Sequence, residues 1–173
     1  MAGPNGAGKT TFAQQLLTDL AATGPAFAVE FLNADEIERR LRASQSNLPR
    51  PAIAAGRELL GLIDHHLNER NDFMVETTLS STSCARQIPN WSDSGYHVEL
   101  YCLRLPSVEA SIERVRRRVA AGGHGILEAD LRRRFAKSLH NLEQVYKPVV
   151  DKRTVYDSLE GKVQLAATGG RSS

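Results

Sequence analysis

Strands alternating with helices predict an α/β fold of three layers, in which helices cover both faces of a parallel sheet. Three observations carry that expectation. Short apolar runs at residues 27–32, 73–75, 97–105 and 153–156 alternate with longer stretches of helical periodicity. A glycine-rich loop, Gly3-Pro4-Asn5-Gly6-Ala7-Gly8-Lys9-Thr10, runs directly into the first helical stretch. Asp35, Glu76 and Asp157 follow or closely trail predicted strands, and α/β sheets gather ligand-binding groups at those carboxyl ends.

The elements follow in order. Phe12, Leu16, Leu17 and Leu20 give residues 9–23 a helical stripe, which Gly24-Pro25 stops. The strand at 27–32 is bounded by Asn33-Ala34-Asp35, and a charged helix occupies 35–43. After a proline-containing loop, Ile53, Leu59, Leu60, Ile63 and Leu67 mark a long helix over 51–70. Phe73-Met74-Val75 is a strand ending on Glu76. Residues 80–94 read as a helix interrupted or bent at Pro89 and closed by Gly95. Beyond the strand at 97–105, a basic helix opens near Pro106, Gly122-Gly123-His124-Gly125 breaks it, and a second basic helix covers 129–145. Residues 153–156 and 163–167 supply the last strands, and 169–173 read as a disordered tail.

With 173 residues, 41% hydrophobic and 24% charged, the chain has the length and composition of one soluble domain, spanning 1–168. A net charge of +2 is too small to argue for nucleic acid or membrane partners. Cys84 and Cys102 have no metal or redox spacing, and no signal peptide or long apolar run is present. Inert, reduced thiols point to the cytoplasm.

The glycine loop carries the strongest chemical signal. It fits G-x-x-x-x-G-K-[ST]: glycines let the backbone wrap a polyphosphate with its N–H groups turned inward, and the following helix adds its positive end. Gly3 through Gly8 with Lys9, Thr10 and Thr11 form the expected nucleotide site. Lys9 reaches the β- and γ-phosphates, and the Thr10 hydroxyl ligates Mg²⁺. The bland alternative, a glycine turn before a helix, does not require Lys-Thr at this place.

Asp35 suits a base accepting a hydroxyl proton; the alternative is an N-cap for the next helix, where Asn33 or Asp35 would accept backbone N–H bonds. Glu76 can hold Mg²⁺ through water or bind a substrate hydroxyl, and Thr77, Thr78 and Ser80 stand beside it. Seven arginines flank the Gly-rich break, Arg114, Arg116, Arg117 and Arg118 before it and Arg132, Arg133 and Arg134 after it. Arg114 and Arg118 share a helix face, and such a pair of helices reads as a hinged cover closing on a transferring phosphate. A solvated face and a nucleic-acid patch are the competing readings.

Only Met1 and Ala2 precede Gly3, so the expectation is a sheet without the strand that normally leads into such a loop. Either the chain is the later part of a longer product, or its start lies upstream, or the sheet does without that member. A strand buried on both faces carries several side chains worth ~1.5–3 kcal/mol each, which predicts an unstable or inactive chain.

Together, Gly3-Pro4-Asn5-Gly6-Ala7-Gly8-Lys9-Thr10-Thr11, Asn33-Ala34-Asp35-Glu36, Glu76-Thr77-Thr78-Leu79, Gly95-Tyr96-His97-Val98 and Val155-Tyr156-Asp157-Ser158 resemble the zeta-toxin-like P-loop kinases of the adenylate-kinase-like group. The resemblance covers most of the chain. It implies a P-loop NTPase fold and transfer of the ATP γ-phosphate to a sugar hydroxyl of UDP-N-acetylglucosamine. It also implies Asp35 as base, Glu76 and Thr78 as substrate contacts, an arginine (Arg114 or Arg118) on the transferring phosphoryl group, and an antitoxin partner. Ser80 stands where the toxins carry a substrate-contacting arginine, and Gly-Gly-His replaces the segment with their second catalytic arginine. His124 or one of Arg132 to Arg134 would have to substitute. An ATP-binding module without turnover and a polynucleotide kinase are the alternative functions.

Overall fold

The computed structural model describes residues 1–22, 29–45, 47–123, 125–159 and 161–170. The elements are α1 (Lys9–Ala22), β1 (Glu30–Asn33), α2 (Ala34–Ser44), α3 (Pro51–Glu69), β2 (Phe73–Glu76), α4 (Ser83–Asp93), β3 (Glu99–Arg104), α5 (Val108–Ala120), α6 (Glu128–Asn141), a π-helical turn (Leu142–Tyr146), β4 (Lys152–Leu159) and β5 (Lys162–Gly170). The expected Gly24-Pro25 helix stop, the start of the strand from Phe27, and His124 lie outside the described residues, as do residues 171–173. No helix among the described residues is long and apolar enough to cross a membrane.

Two compact units divide the chain: Met1–Thr11 with Thr77–Ser173, and Phe12–Glu76. In the first, β3 pairs in parallel with β4, from Glu99 opposite Lys152 to Arg104 opposite Asp157. Leu100, Cys102, Leu103 and Val155 from these strands are buried. On β3's other side Ala2 forms a parallel bridge to Cys102, and a second one to Thr77. Four hydrogen bonds hold it: Ala2 N to Tyr101 O (2.7 Å), Leu103 N to Ala2 O (2.9 Å), Thr77 N to Met1 O (2.9 Å) and Gly3 N to Thr77 O (3.2 Å). Residues 1–3 thus do not make a full strand, yet they fill the leading strand's place immediately before the loop. Ala2 is wholly buried there.

β5 departs from the expected parallel sheet. It pairs antiparallel with β4, because only two residues separate them and a parallel return needs a long crossover. β5 also runs through Gly169 and Gly170, opposite Arg153 and Lys152, so the tail expected to be irregular from 169 is paired strand as far as 170. α4 begins at Ser83, later than expected, and runs on through Pro89. The second basic helix ends at Asn141 and widens into the π turn.

In the Phe12–Glu76 unit, β1 and β2 pair in parallel, with Asn33 opposite Glu76 at their carboxyl ends. Leu32, Ile37, Ala55 and Ile63 form buried packing among β1, α2 and α3. His66 of α3 is also buried, stacks on Phe73 at 5.6 Å, and approaches Glu30 Oε2 at 3.1 Å.

Candidate active site

The phosphate loop is shaped by its glycines and by what packs behind it. Gly3 has φ +139°, and a Cβ there would lie 2.3 Å from the Leu103 carbonyl oxygen, so the strand leaves no room for a side chain. Gly6, at φ +78°, sits under α5, where an added Cβ would lie 3.0 Å from Arg114 Cβ. Gly8 also has positive φ (+87°), but a Cβ there would meet no protein atom within 4 Å. Its backbone is open for a ligand to approach, as a phosphate cradle requires. Pro4, Asn5, Ala7 and Lys9 are buried, Thr10 is half-buried and Thr11 is exposed.

Three contacts hold the loop from within its own unit. Lys9 Nζ donates to Pro4 O at 3.2 Å, which lays the side chain back along the loop that would hold the phosphates. Ser111 Oγ donates to Asn5 O at 2.6 Å. Arg114 reaches further: Nη1 donates to Gly6 O (3.3 Å) and Ser158 Oγ (2.8 Å), and Nη2 to Ser158 O (3.0 Å). One guanidinium therefore ties α5, the loop and the end of β4 together. Beneath the loop, burial pushes the Cys102 thiol up to about 11, and burial also raises Cys84. Thiols held protonated in this way are poor nucleophiles.

The other arginines differ from Arg114. Arg116 pairs with Glu128 (3.0 Å), Arg117 with Glu113 (2.8 Å), Arg132 with Glu109 and Glu128 (3.0 and 2.9 Å), and Arg133 with Asp130 (2.7 Å). The Arg116–Glu128 and Arg132–Glu109 pairs staple α5 to α6 above a core of Ile112, Val115 and Leu131. Arg118 is exposed in the last turn of α5, where its carbonyl accepts from Gly123 N at 2.9 Å. Asp157 is engaged by Arg104 through two hydrogen bonds of 2.9 and 3.1 Å.

The loop after β2 holds Thr78, whose hydroxyl lies 2.8 Å from that of Ser80. Between them, Leu79 is fully buried with a left-handed backbone, φ +59°.

In the Phe12–Glu76 unit the structure gathers Asn33, Asp35 and Glu76. Asn33 caps α2, its side chain accepting from Asp35 N at 2.8 Å, while its Nδ2 donates to Glu76 Oε2 at 3.1 Å. Of the two acids, Asp35 is exposed in the first turn of α2 and Glu76 is half-buried at the end of β2. The cap is Asn33 rather than Asp35, which leaves the Asp35 carboxylate for other work.

Ser111 and Asn141 carry site geometry outside the motifs that the sequence presents, while Ser158 closes one of those motifs and Asn33 is one of the two expected caps. Ser111 stands three residues before Arg114, so helical spacing alone places both on one face of α5.

The loop geometry is that of a nucleotide-binding family, and the AAA domain family model matches residues 1–140. This chain belongs to that family. Its architecture is the P-loop NTPase fold. An uncharacterised protein of Haemophilus influenzae is 29% identical over 136 residues, 77% of this chain and 88% of that protein. Among solved structures, one from a study of the PezAT chromosomal toxin–antitoxin system of Streptococcus pneumoniae superposes with a TM-score of 0.64 at 13% identity. It covers 96% of this chain and 68% of its own. A Chloroflexus aurantiacus protein classed as a kinase gives 0.56 at 19% identity, covering 76% and 73%. The tunicamycin resistance protein of Deinococcus radiodurans gives 0.50 at 18%, covering 84% and 80%. At these identities the likeness is one of fold.

Proposed function

We propose that this protein is an ATP-dependent kinase of the zeta-toxin-like kind, transferring the γ-phosphate to a hydroxyl of a UDP-N-acetylglucosamine-like nucleotide sugar. The observation that carries the reading is the loop itself: a left-handed Gly8 open to a ligand, a buried Lys9 lying along the loop, and a backbone held from behind by Ser111 and Arg114. Phosphoryl transfer asks the protein chiefly for positioning and charge neutralisation. Lys9 meets the phosphate oxygens, and the loop N–H groups, from Gly3 to Thr11, enclose them. Mg²⁺, when bound through the Thr10 hydroxyl, neutralises charge on the phosphates.

Asp35 accepts the proton of the attacking hydroxyl, while Glu76 and Thr78 hold the acceptor. Arg114 or Arg118 meets the transferring group: Arg114 spans Gly6 and Ser158, and Arg118 is exposed one turn beyond it. The ion pairing of Arg116, Arg117, Arg132 and Arg133 with acidic neighbours weighs against a polynucleotide substrate, which would need those charges for its backbone. The structural neighbour from a toxin–antitoxin system fits a toxin role with an antitoxin partner.

The test is incubation with γ-labelled ATP, Mg²⁺ and UDP-N-acetylglucosamine. Labelled nucleotide sugar is expected, and Asp35→Asn should cut its formation by about 10²–10⁴-fold while ATP affinity stays unchanged. ATP binding without transfer to this sugar or to any other hydroxyl acceptor would replace the kinase reading by that of a binding module.

A further inference from the structure

The chain places three non-glycine residues in the left-handed region: Arg50, Arg70 and Leu79. The first two flank α3 as its N-cap and C-cap, and at the C-terminal end such a conformation is common. Leu79 caps nothing. It is fully buried, has a bulky side chain, and sits in the turn after β2, so its backbone conformation must be imposed by its neighbours.

Those neighbours can be named. Leu79 N donates to Thr77 Oγ1 at 3.1 Å. Asn141 Nδ2 donates to Leu79 O at 2.6 Å, and both groups are buried. Tyr146 OH donates to Ser81 O at 2.9 Å. A buried amide side chain is costly unless it is hydrogen-bonded, and asparagine is a poor helix former. Asn141 at the foot of α6 is therefore tolerated for what it holds.

The π turn contributes the second anchor. In an α-helix, five residues carry a side chain about 140° past one full turn. A turn closed by i→i+5 bonds, such as Lys147 N to Leu142 O at 3.0 Å, takes more residues per turn and so brings residues five apart closer to one face. Tyr146 thus comes round toward the face that carries Asn141, and both reach the same loop. Burial pushes the Tyr146 hydroxyl up to about 12, so it remains a donor across the physiological range.

With Leu79 pinned inward, Thr78 and Ser80 on either side of it hold their hydroxyls 2.8 Å apart. Neighbouring hydroxyls offer donors and acceptors to one polar ligand. We infer that Asn141, with Tyr146, is a positioning residue for the acceptor: it locks residues 77–81 in the one conformation that presents Thr78 and Ser80 as a paired hydroxyl cradle. The inference rests on the reading of Thr78 as an acceptor contact. It adds that α6, far along the chain, sets acceptor affinity without touching the acceptor.

The experiment compares wild type with Asn141→Ala and Tyr146→Phe. Losing one hydrogen bond that orders the cradle should raise KM for UDP-N-acetylglucosamine about tenfold in Asn141→Ala and less in Tyr146→Phe. The Kd for ATP should stay within about twofold. A parallel rise in both constants would make the contact generally structural and overturn the inference, as would unchanged KM in both variants. Hydrogen exchange separates this result from the identity of the acceptor. Faster amide exchange confined to residues 79–81, with residues 6–10 unchanged, supports the inference even if wild type ignores this sugar. Wild-type protection at 79–81 in both variants overturns it. Should Asn141→Ala not fold, Tyr146→Phe keeps the buried ring, and both readouts apply to it.

Discussion

Around the phosphate loop the groups held are backbone carbonyls, gripped by side chains from α5, whereas at the acids of the Phe12–Glu76 unit one of the groups held is itself a side-chain carboxylate. Gly3 is pressed against the Leu103 carbonyl, Gly6 lies under α5, and Asn5 O and Gly6 O are gripped by Ser111 and Arg114. Asp35 and Glu76 instead share one amide: Asn33 accepts from the Asp35 backbone and donates to the Glu76 carboxylate. The contrast follows the chemistry proposed for each. Polyphosphate is the same in every nucleotide, so a cradle of N–H groups can be rigid and independent of side-chain identity. An acceptor hydroxyl varies with substrate, and carboxylates on a half-exposed rim are adjusted by single substitutions.

The sharpest way to break this contrast is Gly3→Ala. A methyl group 2.3 Å from a backbone oxygen at φ +139° cannot be accommodated without moving β3. A loss of about 3–5 kcal/mol is expected in urea unfolding. A loss under about 1 kcal/mol would mean that the loop is softer than its packing implies.

Arg114→Ala comes next. It removes hydrogen bonds to Gly6 and Ser158 that span 108 and 44 positions of sequence. About 2–3 kcal/mol of stability and roughly tenfold in ATP affinity should go, read by thermal melting and titration calorimetry. Arg118→Ala should leave the melting temperature alone, because its side chain is exposed. Equal destabilisation by the two substitutions would erase the distinction drawn between them.

Asn33→Ala tests the other side of the comparison. Loss of the α2 cap should cost about 1 kcal/mol, a modest change in melting. Phosphoryl transfer should fall further than that stability loss accounts for, since both acids lose their common partner. Stability and transfer declining in step would show that Asn33 is only a cap.

The smallest effect concerns a carboxylate in the phosphate-loop unit that does have a fixed setting. Burial raises the Glu99 pKa, but hydrogen bonds from Tyr101 (2.8 Å) and Lys152 (3.1 Å) outweigh it and hold the carboxyl below its ordinary value. A folded pKa lowered in this way contributes stability that is present above the unfolded value and lost as pH falls through the folded one. Tyr101→Phe should therefore move the acid-unfolding midpoint slightly upward in pH. Glu99 is partly exposed, so with solvent screening the change at neutral pH stays under about 0.5 kcal/mol. No movement of the midpoint would show that Lys152 and His97 set this carboxyl without Tyr101.

Local spacing made the phosphate loop, the order of strands and helices, and the placing of Asp35 and Glu76 at strand ends legible in the amino-acid sequence. Each of these depends on residues a few positions apart: glycines where φ must be positive, an apolar stripe every three or four residues, a polar residue where a strand stops. Tertiary structure decided the rest. Only packing could tell that Arg114 turns to Ser158 while Arg118 stays exposed, that β5 returns antiparallel, or that Ala2 fills the leading strand's place with bridges on two sides. Asn141 is joined to Leu79 across 62 positions, and nothing in the neighbourhood of either residue announces the other. Short-range preferences are written residue by residue, but which distant groups meet is settled by how the whole chain closes on its core.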